Sequence, residues 1–372
     1  MLKWGRERAR MSSDRLAQML HASTDEVERW ETNKSRPTLK KAMDFARAVH
    51  MPFGYLYLSS RPTETLPIPD LRRRGNIPPS TPSVDFRDVI QDVTLKQQWF
   101  RSLKLAEGAD SLAFVGKYNT NTPIRTVARD IRNQLGLDLE SRRLAKNAAD
   151  LLRFLVGKTE ELGILVMRSG VVGSNNTRKL SVSEFSGFVM SDPMAPVIFI
   201  NVNDSSTAQL FTLVHEIAHV WIGRSGISSL DIDPDTPDMP DVEEFCNAAA
   251  AEVLIPEDEF QETWNQAHQD ISRLASHFRV SQQVALRRAH DLGALSDAEF
   301  FRRWKALPNV KSASKKSGGN FHNTLPARNS VRFTVTLLSE VRSGRVLNRD
   351  ASRLLGVKPS TLPKLAKMRL GE

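Results

Sequence analysis

The stretch Phe211–Gly223, FTLVHEIAHVWIG, decides how this chain is read. It sets His215-Glu216-x-x-His219 inside an otherwise apolar run. On an α-helix, residues four apart project from one face, one turn apart, so both imidazoles can close on a single ion. Glu216 adjoins the first histidine and can reach a water on that ion without ligating it. That is the layout of a hydrolytic zinc site with its own base. The neighbours Phe211, Leu213, Val214, Ile217, Ala218, Val220 and Trp221 are apolar. Burying two histidines and a glutamate among them is costly unless a partner satisfies them, and Zn2+ is such a partner.

A catalytic zinc needs a third protein ligand and an open fourth position. Ile227–Glu259 holds 11 Asp/Glu and no Lys/Arg, so carboxylates are plentiful just downstream. Asp231, Asp233, Asp235 and Asp238 lie in a proline-rich loop and read as solvent-facing or helix-capping. Glu243 and Glu244 open a helix whose small side, NAAAAE, suits close packing on another helix. Glu243 shares a face with Asn247, which is placed to hydrogen-bond a ligand from behind. Glu243 is the favoured third ligand and Glu244 the fallback.

Gly187–Gly223, followed by VEEFCNAAAAEVLIP at 242–256, resembles the ImmA/IrrE family of zinc metallopeptidases. The family's second helix reads E-x-x-[AC]-N-x-x-A-x-x-x-L-x-P, here Glu243, Cys246, Asn247, Ala250, Leu254 and Pro256. Ala249 departs from the family's Phe. The resemblance runs from about residue 85 to the C-terminus and carries the third ligand onto Glu243. It implies a cytoplasmic zinc endopeptidase that hydrolyses a peptide bond in a cognate regulatory protein of repressor or antitoxin type, and so controls transcription. The competing expectation is a non-proteolytic DNA-binding repressor or antitoxin whose zincin-like domain serves binding or sensing.

The opening of the chain resembles the Xre/Cro-like helix-turn-helix family. RLAQMLHASTDEVERWETNKSRPT gives a first helix, a turn, a second helix, then Glu31 and Pro37 at the family's spacing. Its second helix is acidic, with Asp25, Glu26, Glu28 and Glu31, which opposes phosphate contact because affinity comes from neutralising phosphate charge. Arg29, Lys34, Arg36 and Lys40 are the candidate nucleic-acid or partner contacts. The module reads either as a DNA binder or as a surface for the partner protein or for a homodimer. Two later segments, LASHFRVSQ and ASRLLGVKPS, share the hinge pattern of a small residue ahead of a turn.

Composition sets the frame. The chain has 372 residues, a net charge of +9 and a single cysteine, Cys246. No apolar run is long enough for a membrane helix, and the start lacks the apolar core of a secretory signal. One cysteine excludes an intrachain disulfide and suits a reducing cytoplasm. Residues 301–372 carry 16 Lys/Arg against 3 Asp/Glu, a balance that suits nucleic acid or an acidic partner.

The expected fold is α+β in four parts. Residues 1–60 form an all-α helix-turn-helix domain, and 61–84 a proline-rich linker. Residues 85–306 form the zincin-like metallopeptidase domain, with a small sheet, the HExxH helix and helix-turn-helix-like helices at 271–292. Residues 307–372 form a basic helical region. Within this frame, helices are expected at 85–107 and 141–162. Strands are expected in GILVMRS, KLSVSEFSGFVM and PVIFINV.

Overall fold

The computed structural model describes residues 1–69, 82–228, 241–307 and 321–371. Asp231, Asp233, Asp235 and Asp238, most of the proline-rich linker and the basic break after residue 307 lie outside the described residues. The fold is helix-rich with a small sheet, as expected for α+β. Two compact units emerge: residues 1–67 with 80–91, and residues 68–79 with 92–372.

In the first unit, α1 (Leu2–Arg8), α2 (Ser13–Leu20), α3 (Thr24–Glu31) and α4 (Leu39–Ala48) enclose a core of Leu16, Leu20, Val27, Trp30, Phe45 and Val49. Each of α2, α3 and α4 starts on a hydroxyl cap: Ser12, Ser23 and Thr38 accept the backbone N–H three residues on. Arg6 grips Glu31 through two N–H groups, at 2.6 and 2.8 Å. Glu64, read from sequence as linker, takes hydrogen bonds from Arg8 and Arg87 at 2.8 and 2.7 Å. A long helix, α5 (Val84–Ala106), follows.

The second unit continues with α6 (Ile124–Leu135), α7 (Leu139–Leu144) and α8 (Ala148–Glu161). Sequence periodicity misplaced this region. The helix expected over 141–162 is interrupted, because Asn147 accepts the N–H of Asp150 and starts α8 afresh. α6 was not anticipated, although Val127, Ala128, Ile131 and Leu135 form its buried stripe.

Strands β1 (Leu165–Ser169), β4 (Gly187–Met190), β5 (Val197–Asn201) and β6 (Gly226–Ser228) build one sheet in the order β1-β5-β4-β6. β1 runs parallel to β5, and β4 runs antiparallel to β5 and β6. β2 (Val171–Val172) and β3 (Asn175–Lys179) form a separate hairpin. The single strand expected over KLSVSEFSGFVM is therefore corrected. The Ser181 carbonyl accepts the N–H groups of Glu184 and Phe185, a turn that leaves only Lys179, at the end of β3, and Gly187–Met190, which is β4, in strands.

α9 (Ser206–Trp221) is buried from Gln209 to Trp221 and packs between the sheet and α6, α8 and α10 (Asp241–Leu254). A helix with no solvent face must satisfy every polar group it carries from within. α11 (Glu257–Gln266), α12 (Ile271–Phe278), α13 (Gln282–Asp291) and α14 (Asp297–Ala306) extend the same core. The chain ends in α15 (Phe321–Asn329), α16 (Val331–Arg342), α17 (Asn348–Leu355) and α18 (Leu362–Leu370). Trp30, Trp221 and Trp264 are buried, whereas Trp99 and Trp304 are only half-buried. Among the described residues, no helix is long and apolar enough to cross a membrane.

Candidate metal centre

His215 and His219 project from one face of α9, with their rings 4.8 Å apart. Their Nε2 atoms approach to 3.1 Å. α10 packs on both α9 and α6, and its small residues Cys246, Ala249 and Ala250 are fully buried; Cys246 and Ala250 share the helix side of Glu243. That close approach lets the first turn of α10 deliver Glu243. Its Oε2 stands 3.3 Å from His215 Nε2 and its Oε1 stands 3.0 Å from His219 Nε2. Glu244, one residue on, is exposed.

These separations have a physical meaning. Ligands at about 2.0–2.1 Å from a tetrahedral zinc stand roughly 3.3 Å from one another. The two imidazole nitrogens and the Glu243 carboxylate are spaced as such a set. Hydrogen bonding explains the cluster poorly. Two imidazole nitrogens facing each other can share only one proton. Glu243 Oε1, despite its distance from His219, has no aligned hydrogen-bond donor. The Nδ1 atoms of both histidines and both oxygens of Glu216 also lack partners among the described residues. So many unsatisfied groups in a buried space are expected where a cation belongs. His215, Glu216 and His219 form a buried cluster that could bind a metal, and the distances add Glu243 to the groups able to hold it.

Two contributors were not anticipated from sequence. Ser228, at the end of edge strand β6, places its Oγ 3.2 Å from His215 Nε2. It also interacts with Glu216 and favours that carboxylate's charged form. A three-residue strand ending in one serine carries no sequence signal. Gly187, on β4, is the second. A Cβ there would lie 2.6 Å from Thr212 Cγ2, 2.9 Å from Glu216 Oε1 and 2.9 Å from the Phe199 carbonyl. Only glycine leaves room for the Glu216 carboxylate, and a glycine inside a strand is the sequence mark of such an approach. Gly187→Ala is expected to cost about 1–3 kcal/mol by overpacking. Thermal unfolding of the metal-free protein checks this, and an unchanged midpoint contradicts it.

Electrostatics separate the carboxylates. Burial raises the Glu216 carboxyl to about 8; His215 opposes the rise and Glu243 adds to it. Burial pushes Glu243 the same way, but both histidines outweigh it and hold the group at about 2. Burial works against a charged His215, yet Glu243 prevails and raises it. Burial lowers His219. Asn247, one turn beyond Glu243, interacts with His215 and favours its charged form. Two neighbouring carboxylates thus differ: one is held ionised, the other takes up a proton readily.

The remaining sequence candidates lie in the first unit. Arg29 pairs with Asp25 at 3.0 Å on the exposed side of α3. Lys34, Arg36 and Lys40 are exposed around the α3–α4 connection.

Residues 159–290 match the family model described as the IrrE N-terminal-like domain, Peptidase_M78. The match includes β1 to β6, α9, α10 and the clustered residues. It is shorter than the span from about residue 85 to the C-terminus that the resemblance suggested. Residues 329–368 match a second family, described as a domain of unknown function, DUF8813. No curated protein matches the chain.

Proposed function

We propose that the protein is a zinc endopeptidase, with His215, His219 and Glu243 holding the ion, Glu216 acting as base and Asn247 supporting His215. The observation that carries this reading is the buried convergence of two imidazoles and one carboxylate at 3.0–3.3 Å, with a second carboxylate buried beside them. Zinc bound there would supply a Lewis acid that activates water and polarises the scissile carbonyl. Glu216 takes the proton of the attacking water and passes it to the leaving amine nitrogen. Burial raises the Glu216 carboxyl, and a bound zinc would favour its ionised form, in which it can take up the water's proton. Ser228, within reach of Glu216 and His215, helps to hold the base beside the ion. Gly187 leaves the space that the base occupies.

The substrate proposed is a cytoplasmic regulatory protein of repressor or antitoxin type. The N-terminal unit is its docking module, of Xre-like helix-turn-helix design. The exposed acidic residues of α3, Asp25 and Glu28, suit a protein partner better than phosphate. The test is a comparison of new protein N-termini in cells expressing the chain or its Glu216→Gln variant. A cleavage in a DNA-binding regulator, present only with the unaltered chain, is expected. Identical N-termini in both would refute the peptidase reading.

A further inference from the structure

The metal centre makes no use of the hinge in ASRLLGVKPS. In a helix-turn-helix, a small residue on the first helix lets the second cross closely, and apolar residues on the second lock it in place. At the C-terminus α17 meets the turn Pro359–Thr361 that leads into α18, and α16 packs on both helices. Ala351 and Ser352 on α17 are buried, at 0% and 4% exposure. Gly356 ends α17 in the left-handed region, at φ +64°. A short turn through Pro359 and Ser360 leads into α18, which Pro363 helps to start. Leu362 and Leu365 are buried, and α16 packs on both α17 and α18 with Phe333, Leu337 and Leu338.

Locking those leucines inward leaves the other face of α18 outside. Pro363, Lys364, Lys367 and Met368 are exposed along it, and Lys358 and Ser360 are exposed in the turn before it. Ala351–Gly371 contains five Lys/Arg and no Asp/Glu. Lys358, Lys364 and Lys367 have no carboxylate partner among the described residues. α3 differs at the equivalent place: its exposed face offers Asp25 and Glu28, and Arg29 is taken up by Asp25. The β2–β3 hairpin stands beside the C-terminal turn, where the Ser174 hydroxyl donates to the Gly356 carbonyl at 3.2 Å. The exposed residues of that hairpin, Asn175, Asn176, Thr177 and Lys179, are polar or basic.

We infer that α17 and α18 form a helix-turn-helix that binds duplex DNA, with α18 in the major groove and Lys358, Lys364 and Lys367 as its cationic contacts. The hairpin then faces the flanking phosphate backbone. This assigns an activity to the segment that matches a domain of unknown function, and it does not depend on the peptidase reading. A helix fits the major groove, and lysines with no internal partner are free to displace counterions from phosphates.

The test is fluorescence anisotropy of the full chain, as expressed, against a labelled mixed-sequence duplex of about two helical turns. Binding is expected to weaken by at least about tenfold between roughly 50 and 200 mM salt. Changing Lys358, Lys364 and Lys367 together to Ala should weaken binding at least about tenfold and lower the log–log salt slope by about 2.7, three phosphates' worth. The corresponding Lys→Arg set should restore both, which separates charge from folding. Changing Arg143, Lys146 and Arg273 together to Ala, three exposed basic residues outside the metal centre and the C-terminal helices, should leave binding unchanged. The inference fails if no duplex binding is seen at low salt. It fails if the C-terminal Ala set retains the unaltered slope, or if single-stranded DNA or RNA binds more tightly than the duplex.

Discussion

Glu216→Gln is expected to leave zinc bound while lowering the rate of peptide hydrolysis by about 10²–10⁴-fold, the usual share of a positioned general base. Gln has the shape of Glu and cannot take a proton from water at neutral pH. The change should not unfold the protein. Glu216 is fully buried, both its oxygens lack partners, and burial already pushes its carboxyl up to about 8. A neutral amide in that space avoids the cost of burying a charge. Rate, metal content and thermal midpoint together decide the outcome. Hydrolysis at the unaltered rate would remove Glu216 from the mechanism, and lost zinc would make it a ligand instead.

The second large effect is on metal binding. His215→Ala and Glu243→Ala each remove one of three converging groups, and each is expected to reduce zinc from near stoichiometric to less than about a tenth of that under limiting metal. The thermal stabilisation that zinc gives the unaltered chain should vanish with it, since an ion that binds only the folded state stabilises by mass action. Glu244→Ala should change neither, because Glu244 is exposed on α10. The comparison of Glu243 with Glu244 is the sharper part. Both open the same helix, and only the contact of α10 with α9 separates them. Zinc loss in Glu244→Ala with retention in Glu243→Ala would exchange their roles.

How far these features could be read from the sequence depended on whether the determinant was local. His215, Glu216 and His219 belong to one helix, so their spacing states their geometry. Glu243 is 24 residues beyond His219; its shared face with Asn247 favoured it over Glu244, the fallback. The family pattern strengthened that choice, and the packing of α10 on α9, with Glu243 buried and Glu244 exposed, gives the physical reason. Ser228 and Gly187 depend on the pairing of β6 with β4, which brings Gly187 opposite Ser228. Nothing in either local stretch announces that register. The missed helix α6 was legible in the spacing of Val127, Ala128, Ile131 and Leu135, whereas the break at Asn147 arises from short-range competition. A capping side chain at Asn147 overrode a periodicity that would have run through it. The acidic character of α3 was legible at once, whereas the basic, outward face of α18 needed the burial of Leu362 and Leu365 to fix its direction.

The central claim is that two histidines from α9 and one glutamate from α10 hold a single zinc, with Glu216 beside it and unbound. Anomalous scattering at the zinc edge, on crystals of the zinc-loaded protein, tests it most directly. One peak per chain is expected, about 2.0–2.2 Å from His215 Nε2, His219 Nε2 and a Glu243 oxygen, with Glu216 outside that distance. No peak in this cluster, or a peak ligated by Glu216 in place of Glu243, would contradict it.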